Sequence, residues 1–231
     1  TTAQLHLSFF RAYDLDWLKV MSDYRYPMPP GMVEVARADQ LARFGRFPTT
    51  EEPFARQLEV LRLLARELGG SVAFVETVFS PFGVARRTLR SRMRELWSHR
   101  PALFKSFLES ITETLRDYVA AVAGTGASGI FYSVNGLSTD EVSDAEFEQW
   151  VLPFDMAVLE AVWEQVRQGR FFFVVAHLHG LNLRYSLAFA RYACHAFNWS
   201  DRLTPPTLAE ARRLTRKALM GGIRETNLSQ R

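Results

Sequence analysis

The sequence contains almost no cysteine and no long apolar segment. Cys194 is the only cysteine among 231 residues, so the chain cannot form an internal disulfide, and its composition fits a reducing compartment such as the cytoplasm. No apolar run approaches the ~20 residues that cross a bilayer, and the first residues lack the pattern of a signal peptide. We therefore expect a cytoplasmic protein without a membrane partner, in which Cys194 is a small buried apolar side chain.

Phosphate-binding and nucleic-acid-binding motifs are also missing. Neither GxGxxG nor GxxxxGK(S/T) occurs, which argues against a nucleotide-binding doubly wound sheet. The net charge is only +3, and no nucleic-acid reader motif accompanies the arginines that cluster between positions 86 and 94. We expect no nucleic-acid partner. These arginines either form a solvated helix face or attract an anionic ligand.

What the sequence does contain is a regular alternation of strands and helices. Its contents of 48% hydrophobic and 23% charged residues are ordinary for a globular protein. Apolar runs of strand length alternate with segments of helical periodicity, which predicts parallel strands joined by helical crossovers. The predicted strands cover residues 14–21, 71–79, 128–133, 170–179, 193–199 and 217–223.

This alternation predicts an α/β fold of the (β/α)8 TIM barrel type, with residues 1–231 as a single domain. Polar residues follow each predicted strand, and barrels build their sites from the ends of several strands. A complete barrel has eight repeats in about 250 residues, whereas six are recognisable in this sequence. We therefore expect the first and last repeats to lie outside it.

The most informative stretch is 170–180, RFFFVVAHLHG. Its apolar run predicts a buried strand, and the run stops at two histidines before a glycine. Because side chains at i and i+2 of a strand share a face, His177 and His179 are expected side by side at the carboxyl end of this strand. They are either two hydrogen-bonded structural histidines or part of a ligand site.

Other predicted strands also end in polar residues. Asp23 and Arg25 follow the first strand, and Ser133 and Asn135 follow the third. Asp23 is either a ligand contact or the ion-pair partner of Arg25, and Ser133 and Asn135 either bind a ligand carboxylate or stabilise an Asn-Gly turn. Glu76 lies inside an apolar strand, so we expect it to face the barrel mouth or to pair with an arginine.

Taken together, these strand ends resemble the uroporphyrinogen decarboxylase superfamily. The segment 15–23 (LDWLKVMSD) looks like the family's strand that ends in Ser-Asp, and 79–83 (FSPFG) stands where the decarboxylases have Gly-Ala-Pro-Trp-Thr. The segment 130–136 (IFYSVNG) looks like Phe-(Asp/Glu)-Ser-x-Ala-Gly, and 197–199 (FNW) like Leu-Asp-Trp. The segment 219–223 (LMGGI) is similar to Leu-Gln-Gly-Asn-Leu, so the match runs over nearly the whole chain.

The resemblance implies a decarboxylase that removes carboxyl groups from a tetrapyrrole, or acts on a related anionic small molecule, and requires no cofactor. It implies that Asp23 and Ser133 are catalytic. The family's tyrosine does not carry over, since Arg87 occupies the matching position. The residues expected to bind the substrate are Arg25, Arg86, Arg87, Asn135 and Asn198.

The same superfamily contains zinc-dependent methyltransferases that act on corrinoid proteins. That branch has His-x-Cys-Gly where this chain has His177-Leu178-His179-Gly180, so the resemblance also allows a zinc ion held by His177 and His179. Catalytic zinc takes three protein ligands and an open position, so a third ligand would be needed. A methyltransferase with a corrinoid or thiol acceptor, a non-catalytic binding barrel, and a homodimer all stay open.

Overall fold

One parallel sheet organises the fold. The computed structural model describes residues 1–22 and 24–224, and there six strands pair in the order in which they occur in the sequence. The strands are β1 (Trp17–Val20), β2 (Ala73–Phe79), β3 (Gly129–Val134), β4 (Phe173–Leu178), β5 (Ala196–Asn198) and β6 (Ala218–Met220). All neighbouring strands are parallel. A sheet whose strand order never reverses forms a barrel wall, whereas a doubly wound sheet reverses at a switch point. The predicted barrel-type α/β fold is thus confirmed as a six-stranded half-barrel.

Helices connect the strands and cover the outer face of the sheet. They are α1 (Thr2–Ala12), α2 (Phe54–Leu68), α3 (Pro81–Leu89), α4 (Met93–His99), α5 (Pro101–Ala123), α6 (Asp144–Trp150), α7 (Leu152–Arg167), α8 (Tyr185–Arg191) and α9 (Leu208–Ala211). Proline stands in the first turn of α3, α5 and α7, where its missing N–H costs no helical hydrogen bond. In the part of the chain that the structure describes, no helix is both long and apolar enough to cross a membrane.

The two faces of the sheet have different surroundings. The outer face packs against the helices in the main hydrophobic core. The inner face carries a small cluster of its own, formed by Val75, Phe131, Val175 and Ala196. Because strand side chains alternate between faces, residues two positions beyond this cluster, such as Ser133 and His177, continue the inner face towards the carboxyl ends of the strands.

Three local details complete the fold. Helix α6 begins at Asp144 because Ser143 forms the capping box with Glu146. Before it, the Ser138 hydroxyl accepts a hydrogen bond from the Asp140 backbone amide in a turn. The arginines between positions 86 and 94 do not lie on one continuous helix, because the chain is interrupted at Arg90, whose φ is 52°. The segment 31–48 contributes buried side chains to the core, Leu41 among them.

Candidate functional site

His177 is held in one orientation at the carboxyl end of β4. Its Nδ1 lies 2.6 Å from Asn198 Oδ1, and the Asn198 amide Nδ2 donates to the backbone oxygen of Met220 at 3.1 Å. Because the Asn198 amide group is oriented by Met220, its oxygen faces the imidazole and can only accept. Nδ1 therefore carries the proton, and Nε2 is the nitrogen that can accept a hydrogen bond or bind a metal.

The second histidine lies beside the first, as predicted from the strand alternation. The rings of His177 and His179 are 5.8 Å apart, and the His177 ring stacks on Phe131 at 5.3 Å. Ser133 pairs in register with His177 on the neighbouring strand. Ser133, His177 and His179 therefore lie together at the carboxyl ends of β3 and β4, a group that we call the histidine rim. Burial, and next the charge of Arg86, lower the pKa of His179, which favours a neutral imidazole.

Arg86 and Asn135 form a hydrogen-bonded pair next to His179. Arg86 pairs with Glu141 through Nη1 and donates from Nη2 to Asn135 Oδ1 at 2.9 Å. The Asn135 amide Nδ2 donates to the backbone oxygen of Ser133. Both ends of the Asn135 side chain are thus engaged within the protein, so its part in any ligand site is to orient Arg86.

A cavity of about 530 Å³ opens between the segment after β1 and helix α3. Arg25 and Arg87, both predicted to bind the substrate, line it. Ser22 and Tyr24 also line it, so the cavity adjoins the chain on either side of position 23. Asp23 itself lies outside the described residues. The remaining charged residues of the lining are Glu34, Arg90 and Arg92.

The cavity and the histidine rim are neighbours on the sheet. Phe79, the last residue of β2, lines the cavity and pairs in register with Ser133. The Arg87 guanidinium lies 4.6 Å from the centre of the Phe79 ring. The predicted site residues are thus brought to one end of the sheet in two groups, with Arg25 and Arg87 in the cavity and the remaining described ones along the rim.

Lys19 was not predicted as a site residue. Its Nζ lies 4.5 Å from the centre of the Phe131 ring, on the side of the sheet opposite the helices, and burial lowers its pKa. No carboxylate among residues 1–22 and 24–224 forms an ion pair with Lys19. The spacing in the sequence indicates this placement, because Lys19 is two residues from Trp17 and so shares its strand face. Trp17 packs on the inner-face cluster.

Glu76 does not lie where it was expected. It is fully buried on the outer face of β2, and it neither reaches the barrel mouth nor pairs with an arginine. Tyr118 donates to its Oε1 at 2.8 Å and Gln57 to its Oε2 at 3.0 Å. Burial raises the pKa of Glu76 to about 8, because the charged form loses its hydration.

A second buried carboxyl group escaped sequence analysis altogether. Asp155 on α7 accepts hydrogen bonds from Tyr132 at 2.9 Å and from Tyr192 at 2.6 Å. Burial raises its pKa to about 7. The three residues are far apart in the sequence, so only the packing of α7 on the sheet brings them together.

The described residues do not complete a zinc site. In residues 1–22 and 24–224, no group of three or more histidine, cysteine, aspartate or glutamate side chains could hold a metal ion. Cys194 is buried, as predicted, and burial raises the pKa of its thiol to about 12, so it does not supply a thiolate. His177 and His179 provide two imidazoles, one fewer than the three protein ligands of catalytic zinc.

The fold and these strand ends define a barrel-type protein with an arginine-lined cavity, and comparison with known proteins gives its family. The model of the uroporphyrinogen decarboxylase (URO-D) family matches residues 2–230, so the chain belongs to this family. A uroporphyrinogen decarboxylase from Syntrophotalea carbinolica is 29% identical over 124 residues, which cover 50% of this chain and 34% of that protein. The match thus spans about a third of the relative's length.

A solved structure shares the fold. A methyltransferase from Methanosarcina mazei superposes with a TM-score of 0.69 at 17% sequence identity, over 95% of this chain and 68% of that one. At this identity the likeness shows the fold alone. It supports the interpretation of the sheet as most of a barrel wall.

Proposed function

We propose that the protein acts on a small molecule with several carboxylates, as a decarboxylase of the uroporphyrinogen type. The observation that carries this proposal is the arginine-lined cavity at the carboxyl ends of β1 and β2. A decarboxylase of this type must hold the carboxylates that it does not remove while the reacting one is in place. A cavity lined by several guanidinium groups meets that need.

The charge and size of the cavity support an anionic ligand. Its described lining contains one carboxylate, that of Glu34, and four guanidinium groups, those of Arg25, Arg87, Arg90 and Arg92. Its volume of about 530 Å³ falls in the ordinary range for small-molecule sites, roughly 300–1,000 Å³. Arginine binds carboxylates through two parallel hydrogen bonds, which gives orientation as well as affinity.

The residues that the family resemblance makes catalytic, together with His177, would act on the bound ligand. By its likeness to the family, Asp23 would hold pyrrole N–H groups and stabilise the positive charge of a protonated ring, which is an electrostatic role. Ser133 would donate a hydrogen bond to a carboxylate. His177, with its proton held on Nδ1 by Asn198, would present Nε2 as the acceptor of a proton or hydrogen bond.

Turnover of uroporphyrinogen under anaerobic conditions tests this proposal. Products with fewer carboxylates, separated by chromatography after oxidation, are expected. Arg87→Ala should weaken substrate binding on the order of tenfold to a hundredfold, since hydrogen bonds between charged groups contribute about 1.5–3 kcal/mol. Arg62→Ala is the matched control, because Arg62 is exposed on α2 and pairs with Glu59 outside the cavity.

The outcomes separate the open alternatives. Unchanged uroporphyrinogen, beside an active control enzyme, would reject decarboxylation of this substrate. Tight binding without turnover would instead identify a non-catalytic binding barrel. Equal binding by wild type and Arg87→Ala would show that the cavity is not the binding site.

Methyl transfer to a corrinoid protein or a thiol is the second candidate, and the paired imidazoles of His177 and His179 favour it. Because the described residues do not complete a zinc site, no metal-dependent step follows from them. Zinc content provides the test. Stoichiometric zinc in the wild type that is lost in His179→Ala would support this candidate, and equal, near-zero zinc in both would reject it.

A further inference from the structure

Glu76 is a buried acid without a countercharge. Its relative exposure is 0%, and both carboxyl oxygens accept hydrogen bonds from neutral donors, Tyr118 and Gln57. No arginine, lysine or histidine of residues 1–22 and 24–224 forms an ion pair with it. An unpaired carboxylate is costly in such surroundings, so the neutral, protonated form is favoured.

A chain of side chains leads from this acid to the cavity wall. The hydroxyl of Tyr118 donates to Glu76, and the ring of Tyr118 packs against Tyr24. The Tyr24 and Tyr118 rings are in edge contact, 6.1 Å apart. Tyr24 lines the cavity. Burial, and next the charge of Glu76, raise the pKa of Tyr24, whereas the charge of Arg87 lowers it.

The same segment is anchored at two further points. The Ser22 hydroxyl donates to the backbone oxygen of Thr77 at 2.6 Å, and the Tyr26 hydroxyl donates to Thr114 at 3.0 Å. Ser22 and Tyr26 are therefore held on β2 and α5. Between them, Tyr24 contacts Tyr118, which donates to the buried acid.

We propose that Glu76 is a positioning residue that controls the anion-binding cavity through Tyr118 and Tyr24. In its neutral form it holds this tyrosine pair and leaves the arginines to attract the ligand. In its ionised form it adds a buried negative charge behind the cavity wall, which repels an anionic ligand. The second part of this proposal rests on the anionic ligand proposed above, and the first part does not.

The groups that face Glu76 are few. From α2 comes Gln57, from α5 comes Tyr118, and from the segment after β1 comes Tyr24, whose other charged neighbour is Arg87 on α3. The residues paired with Glu76 on the adjacent strands are the apolar Val20 and Ile130. Since burial raises its pKa to about 8, ionisation falls within an accessible pH range.

The first experiment requires no ligand. The full chain labelled with 13C at the tyrosine Cζ positions is titrated from pH 6 to 10 by NMR, with the Tyr24 signal assigned from Tyr24→Phe. Burial raises the pKa of Tyr24 well above its usual value, so a step near pH 8 reports a neighbour. We expect this step in the wild type, its loss in Glu76→Gln, and its retention in Asp155→Asn.

Asp155→Asn is a matched control because Asp155 is also a buried acid that accepts two hydrogen bonds, but its partners, Tyr132 and Tyr192, are not among the residues that line the cavity. Tyr118→Phe provides a second variant, which keeps the acid and removes the hydroxyl that donates to it. The step should then disappear from Tyr24. A wild-type Tyr24 signal without a step near pH 8, or a step that persists in Glu76→Gln, would overturn the proposal.

The second experiment measures uroporphyrin I binding by fluorescence at pH 6.5 and 9. The affinity of the wild type should fall on the order of tenfold at the higher pH, the change that accompanies a one-unit rise of an acid's pKa on binding. Glu76→Gln should lose this difference, and Asp155→Asn should keep it. A pH dependence that is equal in wild type and Glu76→Gln contradicts the proposed effect on the ligand. If uroporphyrin I binds at neither pH, the proposed function is rejected, and the Tyr24 titration still decides the role of Glu76.

Discussion

Replacing Glu76 by glutamine should make the protein more stable at alkaline pH. Glutamine keeps the size of the side chain and resembles the neutral acid, so it retains acceptor and donor capacity towards Tyr118 and Gln57. What it removes is the cost of taking an ionisable carboxyl group out of water. The change therefore isolates the effect of one buried proton on the free energy of unfolding.

The direction follows from the two protonation states. Folding raises the pKa of Glu76 from its ordinary value of 4.5 to about 8, because the carboxyl group is buried. Below pH 4.5 the acid is protonated in both states and contributes no pH dependence. Between pH 4.5 and pH 8 the folded state binds one proton more than the unfolded state. The free energy of unfolding therefore falls as the pH rises, by about 1.4 kcal/mol per pH unit. Above pH 8 both states are ionised and the contribution is constant.

The magnitude is large enough to measure. From pH 5 to pH 8 the single group lowers the free energy of unfolding by on the order of 4 kcal/mol. Urea unfolding of wild type and Glu76→Gln at several pH values should give curves that are similar at pH 5 and diverge towards pH 8, with the variant more stable. Glu148→Gln, on the exposed side of α6, is the control. Parallel curves for wild type and Glu76→Gln would refute the assignment of a buried proton to this residue.

Two further changes address other parts of the site and sheet. Asn198→Leu removes the acceptor of the His177 Nδ1 proton, so the imidazole 15N spectrum should lose the single Nδ1-protonated tautomer of the wild type; an unchanged spectrum would contradict the proposed orientation. Gly129→Ala places a Cβ 1.7 Å from the backbone oxygen of Phe173, and should lower the free energy of unfolding by roughly 3 kcal/mol or more because β3 and β4 must separate. Gly45→Ala, which meets no atom within 4 Å, should leave stability nearly unchanged, and thermal unfolding of the two variants compares them.

Much of the fold could be predicted because it depends on local pattern. Residues 101–123 carry apolar side chains at helical spacing, Phe104, Leu108 and Leu115 among them, and the structure has α5 over this range. The alternation of strands and helices predicted the parallel sheet, since crossovers of this kind join parallel strands. The ends of the strands were predicted less accurately. The run that begins at Phe171 looked like strand throughout, yet β4 starts at Phe173, and Phe172 is 67% exposed.

The site was harder to predict because its contacts join distant parts of the chain. The ion pair of Arg86 with Glu141 joins residues 55 positions apart in the sequence, and it depends on how α3 packs beside the turn before α6. No local pattern in the sequence specifies that pairing. The placement of His177 beside His179 needed only the two-residue alternation of a strand, so it could be predicted.

The strand alternation contains more information about Lys19 and Glu76 than their charges do. Glu76 has the same parity along β2 as Phe74 and Val78, which pack against the helices. Its position between them therefore assigns it to the outer face of the sheet, outside the barrel interior. Lys19 has the parity of Trp17 and faces inward. The alternation of side chains along the strands therefore predicts the lysine, and not the glutamate, inside the barrel. Its place on the inner face also makes Lys19 a test of how far an anionic ligand extends from the cavity towards His177.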